Sequence, residues 1–406
     1  MARLVQKFGG TSVGDPDRIR DVADYVARCH RRGDEIVLVV SAMGKETDEL
    51  LRIASEVSSP RPGREMDMLI TAGERKAIAL VCMALVDDAA EAEIYTGSQA
   101  GFITDTNHTD AKILEVRADR IAAALAAGRV PVVAGAQGVS TDHDVTFLGR
   151  GGSDTTAVAL AKALGADYCE LYTDVSGVFT TDPRVVPEAR KMSTISFDEL
   201  LEMTATGCPK PAMRSVEYAV RHGVKLHVRS AFTWEPGTLV VEEDPNMEQA
   251  TVRAITHDLS EAKVTVSGVP DQPGVAAKLF RSLADRGVNV DMIVQNASAD
   301  GITDISFTVP HSDVAASMDV VSALQPELGI REFGADPTVA RVSVIGAGMK
   351  SNPGIAASMF ECLAEHGINI DMISTSAIRI SCVVSQDQAE QAVAVLHSTY
   401  ELDKSD

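Results

Sequence analysis

Positive charge is scarce in this chain. Its 406 residues carry 37 Lys and Arg against 58 Asp and Glu, a formal net charge of −21. A field of that sign repels phosphate backbones and anionic lipid, so neither nucleic acid nor a membrane surface is an expected partner, and any phosphorylated ligand needs local cations or a metal ion. Long apolar runs are missing as well. The longest, "AIALVCMALV" at 77–86, is too short for a bilayer and predicts a buried helix. No signal-peptide core precedes the glycines of "MARLVQKFGG", which makes a cytoplasmic location the expectation. Finally, the six cysteines (Cys29, Cys82, Cys169, Cys208, Cys362, Cys382) never form a Cys-x-x-Cys pair and sit in apolar contexts. Reduced core thiols are expected rather than disulfides or zinc.

What is present is a core for two or three domains, with 45% hydrophobic residues. Over the first 240 or so positions, β-branched runs ("RLVQKF", "EIVLVVSAM", "VPVVAGAQGV", "YCELYTDV") alternate with helical stretches. Such alternation predicts an α/β domain with a mostly parallel sheet and ligands at the carboxyl ends of its strands. The acidic, proline-bearing "WEPGTLVVEEDPNMEQ" (234–249) marks its end, near residue 245. Beyond it the chain repeats. "AKVTVSGVPDQPGVAAKLFRSLADRGVNVDMI" from Ala262 is matched by "ARVSVIGAGMKSNPGIAASMFECLAEHGINIDMI" from Ala340, with Asn289 and Asp291 in register with Asn369 and Asp371. Two copies of strand, Pro-Gly turn, helix and strand predict two small α+β modules, 263–335 and 340–406, with a strand near 250–258 shared by the second. Polar turns at their helix N-termini suit a small ligand.

Several motifs carry chemistry. "KFGGTS" sets Lys7 before Gly9 and Gly10, so an ammonium and backbone N–H groups can face one phosphate. "SAMGKETDEL" puts a hydroxyl, Ser41, where a strand ends, and "TAGE" offers Glu74. "LGRGGSDTTA" crowds three glycines around Arg150 and opens a helix with Ser153 and Asp154; it is neither a Walker A loop nor a dinucleotide fingerprint, and it suits an anion. Taken alone, Lys7 reads as a surface lysine, Glu74 as a solvated helix residue and Arg150 as a structural ion pair. Together, at strand-to-helix junctions of one sheet, they converge on a site. "LYTDVSGVFTTDPR" is read equally well as a turn or as a loop holding a nucleotide.

These motifs, with "GSQAG", "RSVEYA" and the tandem repeat, resemble aspartate kinase of the amino acid kinase superfamily, with two ACT-type (ferredoxin-like) modules, over essentially the whole chain. The resemblance implies an amino acid kinase-like sandwich. It implies ATP-dependent phosphorylation of the β-carboxylate of L-aspartate, with Mg²⁺ carried mainly by phosphate oxygens and no protein metal cage. It implies that Lys7 neutralises the transferring group with Gly9 and Gly10, that Asp154 organises Lys7, and that Arg150 forks a substrate carboxylate. Glu74 would take the substrate ammonium, and Ser41, Thr47 and Ser153 would complete the pocket. Thr173, Asp174, Phe179, Asp182 and Arg184 would line the nucleotide side. In the first repeat Asp271, Gly274, Ala276, Asp291 and Gln295 resemble a threonine-binding set, completed by Asn369 and Ile370 of a partner chain. Oligomerisation through the ACT modules is implied, or an α2β2 assembly with a regulatory chain started internally near Met247.

Two departures from the family pattern stand out. Pro209 occupies the position of a nucleotide-approaching lysine, and Lys210 follows it between two prolines, so weaker ATP binding is expected. Ala377 replaces a glutamate associated with lysine recognition, so threonine inhibition without strong lysine inhibition is expected. The alternative is a catalytically weak, amino-acid-binding regulatory subunit.

Overall fold

The computed structural model describes residues 2–59, 62–242, 251–296, 301–349 and 352–404. The chain divides into two compact units. The first holds Met1–Val178, Lys191–Thr204 and Pro209–Pro245; the second holds Asn246–Asp406 together with Phe179–Arg190 and Ala205–Cys208.

At the heart of the first unit is an eight-stranded sheet. Its strand order is Thr194–Ser196, Thr238–Val241, Leu226–Ser230, Tyr168–Thr173, Arg3–Phe8, Glu35–Val40, Val130–Ala134, Ala92–Tyr95. Neighbours run parallel except the Leu226–Ser230 and Thr238–Val241 pair. The central strand "EIVLVV" is apolar and buried from Ile36 to Val40 because helices cover both faces, as parallel sheets require. The flanking helix Pro16–Arg31 is set by its ends: Asp15 caps it, accepting from the Arg18 N–H at 2.9 Å, Pro16 occupies the first turn, and basic residues fill the last. Its Ile19, Val22, Ala23, Val26 and Ala27 meet Phe8, Ile36, Leu38 and Val40 in the core. The helix Ala72–Asp87 corrects one expectation. Ala77, Ile78, Val81 and Leu85 are buried, but Leu80, Met83 and Val86 are exposed, because the helix lies against the sheet on one side only. A smaller sheet, Ile113–Val116, Phe102–Thr104, Gln137–Ser140 and Val145–Phe147, completes the unit.

In the second unit each repeat builds a four-stranded antiparallel sheet backed by two helices. The first orders Ile293–Gln295, Ile302–Pro310, Glu261–Pro270, Glu332–Asp336, with helices Val275–Asp285 and Val314–Leu328. The second orders Thr251–Asp258, Val339–Ala347, Arg379–Ser385, Met372–Thr375, with helices Pro353–Glu365 and Ala389–Thr399. Thr251–Asp258 thus takes in the second sheet the edge place that Glu332–Asp336 takes in the first. The repeats exchange ion pairs: Asp291 of the first meets Arg341 of the second, and Lys263 of the first meets Asp371 of the second. Residues 179–190 are built into the second core, where Val185 and Val186 pack with Val252, Ile255, Met359 and Leu396. His397 Nε2 lies 2.9 Å from Thr180 Oγ1 there. All six cysteines are free thiols, Cys82 and Cys208 partly exposed and the others buried.

Candidate active site

Lys7 lies in a central strand, in register with Val39 on one side and Leu171 on the other, and is only 6% exposed. Its ammonium sits 2.6 Å from Asp154 Oδ1. Asp154 opens the helix Gly152–Leu164, and its second oxygen accepts the Ala212 N–H at 3.0 Å. A lysine held this way presents one fixed positive charge beside the positive end of a helix dipole, an arrangement that favours an anion.

The motifs interlock because glycines let backbones touch. A Cβ on Gly10 would lie 2.7 Å from the Ala42 carbonyl oxygen, and one on Gly73 would lie 2.9 Å from Ala42 Cβ. "KFGGTS", "SAMG" and "TAGE" therefore meet at one place, with the Gly44 N–H bonded to the Gly10 carbonyl at 2.9 Å. Ser41 is half-buried, its N–H on the Phe8 carbonyl at 3.1 Å, and Thr47 is half-buried in the first turn of Glu46–Val57. Gly9 lies beside the Lys7 ammonium. Ser153 is buried and Arg150 exposed, its guanidinium 3.8 Å from Asp48.

Two placements differ from the sequence reading. "TAGE" joins two helices, Arg64–Ile70 and Ala72–Asp87, and "GRGGSD" follows Val145–Phe147 of the smaller sheet. The motifs converge, but not as strand-to-helix junctions of a single sheet. Glu74, moreover, is 3% exposed rather than solvated. Burial pushes its carboxyl up to about 7, against the opposing pull of its own and the Ala42 backbone N–H groups. Its Oε2 is buried with no hydrogen-bond partner among the described residues, as are Ser12 Oγ and Thr155 Oγ1 in the adjoining turns. Buried oxygens of this kind cost stability unless a ligand satisfies them.

Of the nucleotide-side candidates, Thr173 ends the Tyr168–Thr173 strand with its hydroxyl turned back to the Val175 carbonyl at 3.0 Å. Asp174 is exposed, with Lys210 Nζ at 3.2 Å, so the displaced lysine lies against this strand end in spite of its flanking prolines. Phe179, Asp182 and Arg184 fall in the other compact unit. Asp182 grips Arg184 in a two-pronged pair with contacts of 2.6 and 3.0 Å, and those hydrogen bonds hold its carboxyl below the usual range.

Of the effector candidates, Asp271 and Gly274 lie in an exposed turn, Gly274 left-handed at φ +101° as the N-cap of Val275–Asp285. Ala276 follows in that helix's first turn, and Gln295 ends the exposed strand Ile293–Gln295. Asp291 is engaged by Arg341, while Asn369 and Ala377 are exposed and Ile370 half-buried. Met247 lies outside the described residues.

Sequence reasoning missed three anchors. Asp67 is fully buried, receives the Thr109 and Phe147 N–H groups at 2.9 and 3.0 Å, and lies 2.7 Å from His108 Nδ1. Arg341 is 2% exposed. Arg214 stood inside "RSVEYA", which was read only as a motif. Nothing local marks such residues, since each acts through groups distant in the sequence.

The amino acid kinase family pattern matches residues 2–230, and the ACT domain pattern matches 263–324 and 342–400. An aspartokinase of Mycolicibacterium smegmatis is 52% identical over 100% of this chain and 98% of its own length. The chain belongs to the aspartokinase family. A second aspartokinase, from Mycobacterium tuberculosis strain H37Rv, is 51% identical over 99% of this chain and 97% of its own. Among solved structures, aspartokinase III of E. coli in complex with aspartate and ADP superposes with a TM-score of 0.85 at 25% identity, covering 98% of this chain and 99% of that one. An aspartokinase is a phosphotransferase with a carboxylate acceptor, and its ACT domains make it an allosteric enzyme. Among the described residues no helix is long and apolar enough to cross a membrane.

Proposed function

We propose that the Lys7–Asp154 site transfers the γ-phosphoryl group of ATP to the β-carboxylate of L-aspartate, yielding 4-phospho-L-aspartate and ADP. One observation carries the reading: a buried ammonium fixed at 2.6 Å by a helix-start carboxylate, with buried, unpartnered oxygens in the adjoining turns. The acceptor is already an anion, so no general base is required; a carboxylate oxygen bonds to phosphorus as the bond to the ADP oxygen breaks. What the protein supplies is alignment and relief of repulsion between two anions. Lys7 neutralises the moving group with the Gly9 and Gly10 amides, and Asp154 holds Lys7. Glu74 takes the substrate ammonium, Arg150 forks its α-carboxylate, and Ser41, Thr47 and Ser153 close around it. Thr173, Asp174, Phe179, Asp182, Arg184 and Lys210 serve the nucleotide.

Among the described residues no cluster of three His, Cys, Asp or Glu side chains is placed to hold a metal ion. Mg²⁺ is read as a passenger of the phosphates, screening their charge. Asp271, Gly274, Ala276, Asp291 and Gln295, with the partner chain's Asn369 and Ile370 positions, read as a threonine site between copies. Ala377 leaves lysine without a carboxylate there. An assembly through the ACT modules, or with a chain started near Met247, and a cytoplasmic location complete the reading.

Trapping the acyl phosphate with hydroxylamine tests it. Purified protein with ATP, Mg²⁺ and aspartate should give hydroxamate, inhibited by threonine and little by lysine alone. Binding of amino acids without any hydroxamate would instead make the chain a regulatory subunit. Strong inhibition by lysine alone would refute the effector assignment.

A further inference from the structure

Arg150 has to be aimed, yet its own turn supplies little stiffness. It stands between Gly149 at φ +83° and Gly151 at φ +72°, and its side chain is 92% exposed. Conformationally permissive glycines on both sides mean that its direction is fixed by whatever holds the ends of the turn.

Both ends are held by one short segment. Upstream, Arg214 Nη1 donates to the Leu148 carbonyl at 2.7 Å, and its Nη2 donates to the Ala111 carbonyl at 2.7 Å. Leu148 N–H is itself bonded to the Ala136 carbonyl at 2.8 Å. Downstream, the Ala212 N–H holds Asp154 at 3.0 Å. Two positions earlier, Lys210 meets Asp174 at 3.2 Å. Residues 210–214 thus touch the nucleotide strand end, the Lys7–Asp154 pair and the base of the Arg150 turn.

The position of Arg214 is itself informative. It occupies the first turn of the helix Met213–His222, which has no acidic residue there. A cation at a helix N-terminus opposes the helix dipole, so this placement needs a compensating interaction. The two carbonyls supply it, with Asp110 Oδ1 at 3.5 Å. A guanidinium's planar fork spans two acceptors from separate segments with fixed geometry, which the compact ammonium of a lysine does not reproduce.

We infer that Arg214 is a positioning residue for aspartate, setting the Arg150 turn by clamping Leu148 to Ala111. This rests on the reading of Arg150 as the ligand of the substrate carboxylate. Arg214 touches no substrate. It acts through Arg150, so its loss falls on the aspartate side, while Lys210 and Ala212 keep their own contacts to Asp174 and Asp154.

The test is initial-rate kinetics of the full chain for Arg150→Ala, Arg214→Met, Arg214→Lys and the double variant Arg150→Ala/Arg214→Met, with thermal unfolding of each. Arg214→Met should raise the KM for aspartate about tenfold, since a misplaced ligand loses one charge-assisted contact, and change the KM for ATP less than about twofold. Arg214→Lys, which keeps the charge but loses the fixed fork, should fold as wild type does and fall between. In the Arg150→Ala background, Arg214→Met should add almost nothing to the aspartate KM. If instead the two effects multiply, or if Arg214→Lys shifts both Michaelis constants equally, Arg214 is a general structural residue and the inference fails. Should Arg150→Ala leave the aspartate KM unchanged, the assignment of Arg150 fails first, and that outcome is visible without any Arg214 variant.

Discussion

Lys7 and Arg341 are both cations buried in strands of their units, at 6% and 2% exposure, and they are surrounded in opposite ways. Lys7 meets one carboxylate, and near it lie buried oxygens without partners. Arg341 is wrapped by carboxylates: Glu261 at 2.9 Å, Asp258 at 3.4 Å and Asp291, with the Ala205 carbonyl at 2.8 Å. Burial pushes the Glu261 carboxyl upward even against the attraction of Arg341. A buried charge with a single carboxylate partner keeps the capacity to meet a ligand; one gripped by three carboxylates and a carbonyl ties elements together. Arg341 ties the Thr251–Asp258 strand, the start of the first repeat and Asp291 into one body, as the Lys263–Asp371 pair does less deeply on the other side.

The largest expected effect breaks the catalytic side of this contrast. Lys7→Met should lower kcat by about 10³-fold, the loss typical of a charge that stabilises a transition state, and should also lower the melting temperature, because the buried Asp154 loses its cation and keeps only the Ala212 N–H. Arg341→Met should act on stability alone. It leaves three carboxylates without their cation, which costs about 3–5 kcal/mol on breaking a buried pair, with kcat within about twofold of wild type. Thermal unfolding and hydroxamate assays on both variants decide the matter; an exchange of the two phenotypes would end the distinction.

Glu74 sharpens it by pH. Its carboxyl titrates near about 7 because of burial, against 4.5 for an ordinary glutamate. On its proposed role as the ligand of the substrate ammonium, it gains a proton and releases that group as pH falls below 7, so the KM for aspartate should rise by up to about tenfold per unit. A raised carboxyl pKa contributes stability that is complete below about 4.5 and lost as pH climbs through about 7. Glu74→Gln should therefore flatten the pH profile of the aspartate KM and melt higher than wild type at pH 8 but not at pH 4.5. A pH profile unchanged by the substitution would remove Glu74 from the site. The smallest effect is expected at Lys210, whose half-exposed pair with Asp174 is worth little by itself. Lys210→Ala should raise the KM for ATP about threefold; no change would leave the lysine position of the family empty in this chain.

Much of this was legible in the sequence for particular reasons. Strands such as "EIVLVV" declare themselves because a sheet covered on both faces favours near-continuous apolar runs. The tandem repeat is visible because both copies build the same sheet. Lys7, Glu74 and Asp154 stand beside glycines whose close approach the site requires, so the motifs flag them. Other features were not legible. "TAGE" carries no mark that it joins two helices, and "GRGGSD" none that its preceding strand belongs to the smaller sheet. The helix at 77–86 is apolar all round, which hides that one face stays exposed. Nor does "FTTDPR" reveal that Val185 and Val186 pack into the second core.

The sequence by itself determined the elements, the duplication and the residue types available for the chemistry, because periodicity, turn glycines and charge are local properties. Only the tertiary structure decided which of those residues are buried and which groups each of them meets. Glu74 became a buried acid whose carboxyl burial pushes upward, Lys7 the partner of a carboxylate 147 positions away in the chain, and Arg214 a clamp on two distant carbonyls. Burial and pairing depend on groups brought together from remote segments, and no short stretch of sequence contains them.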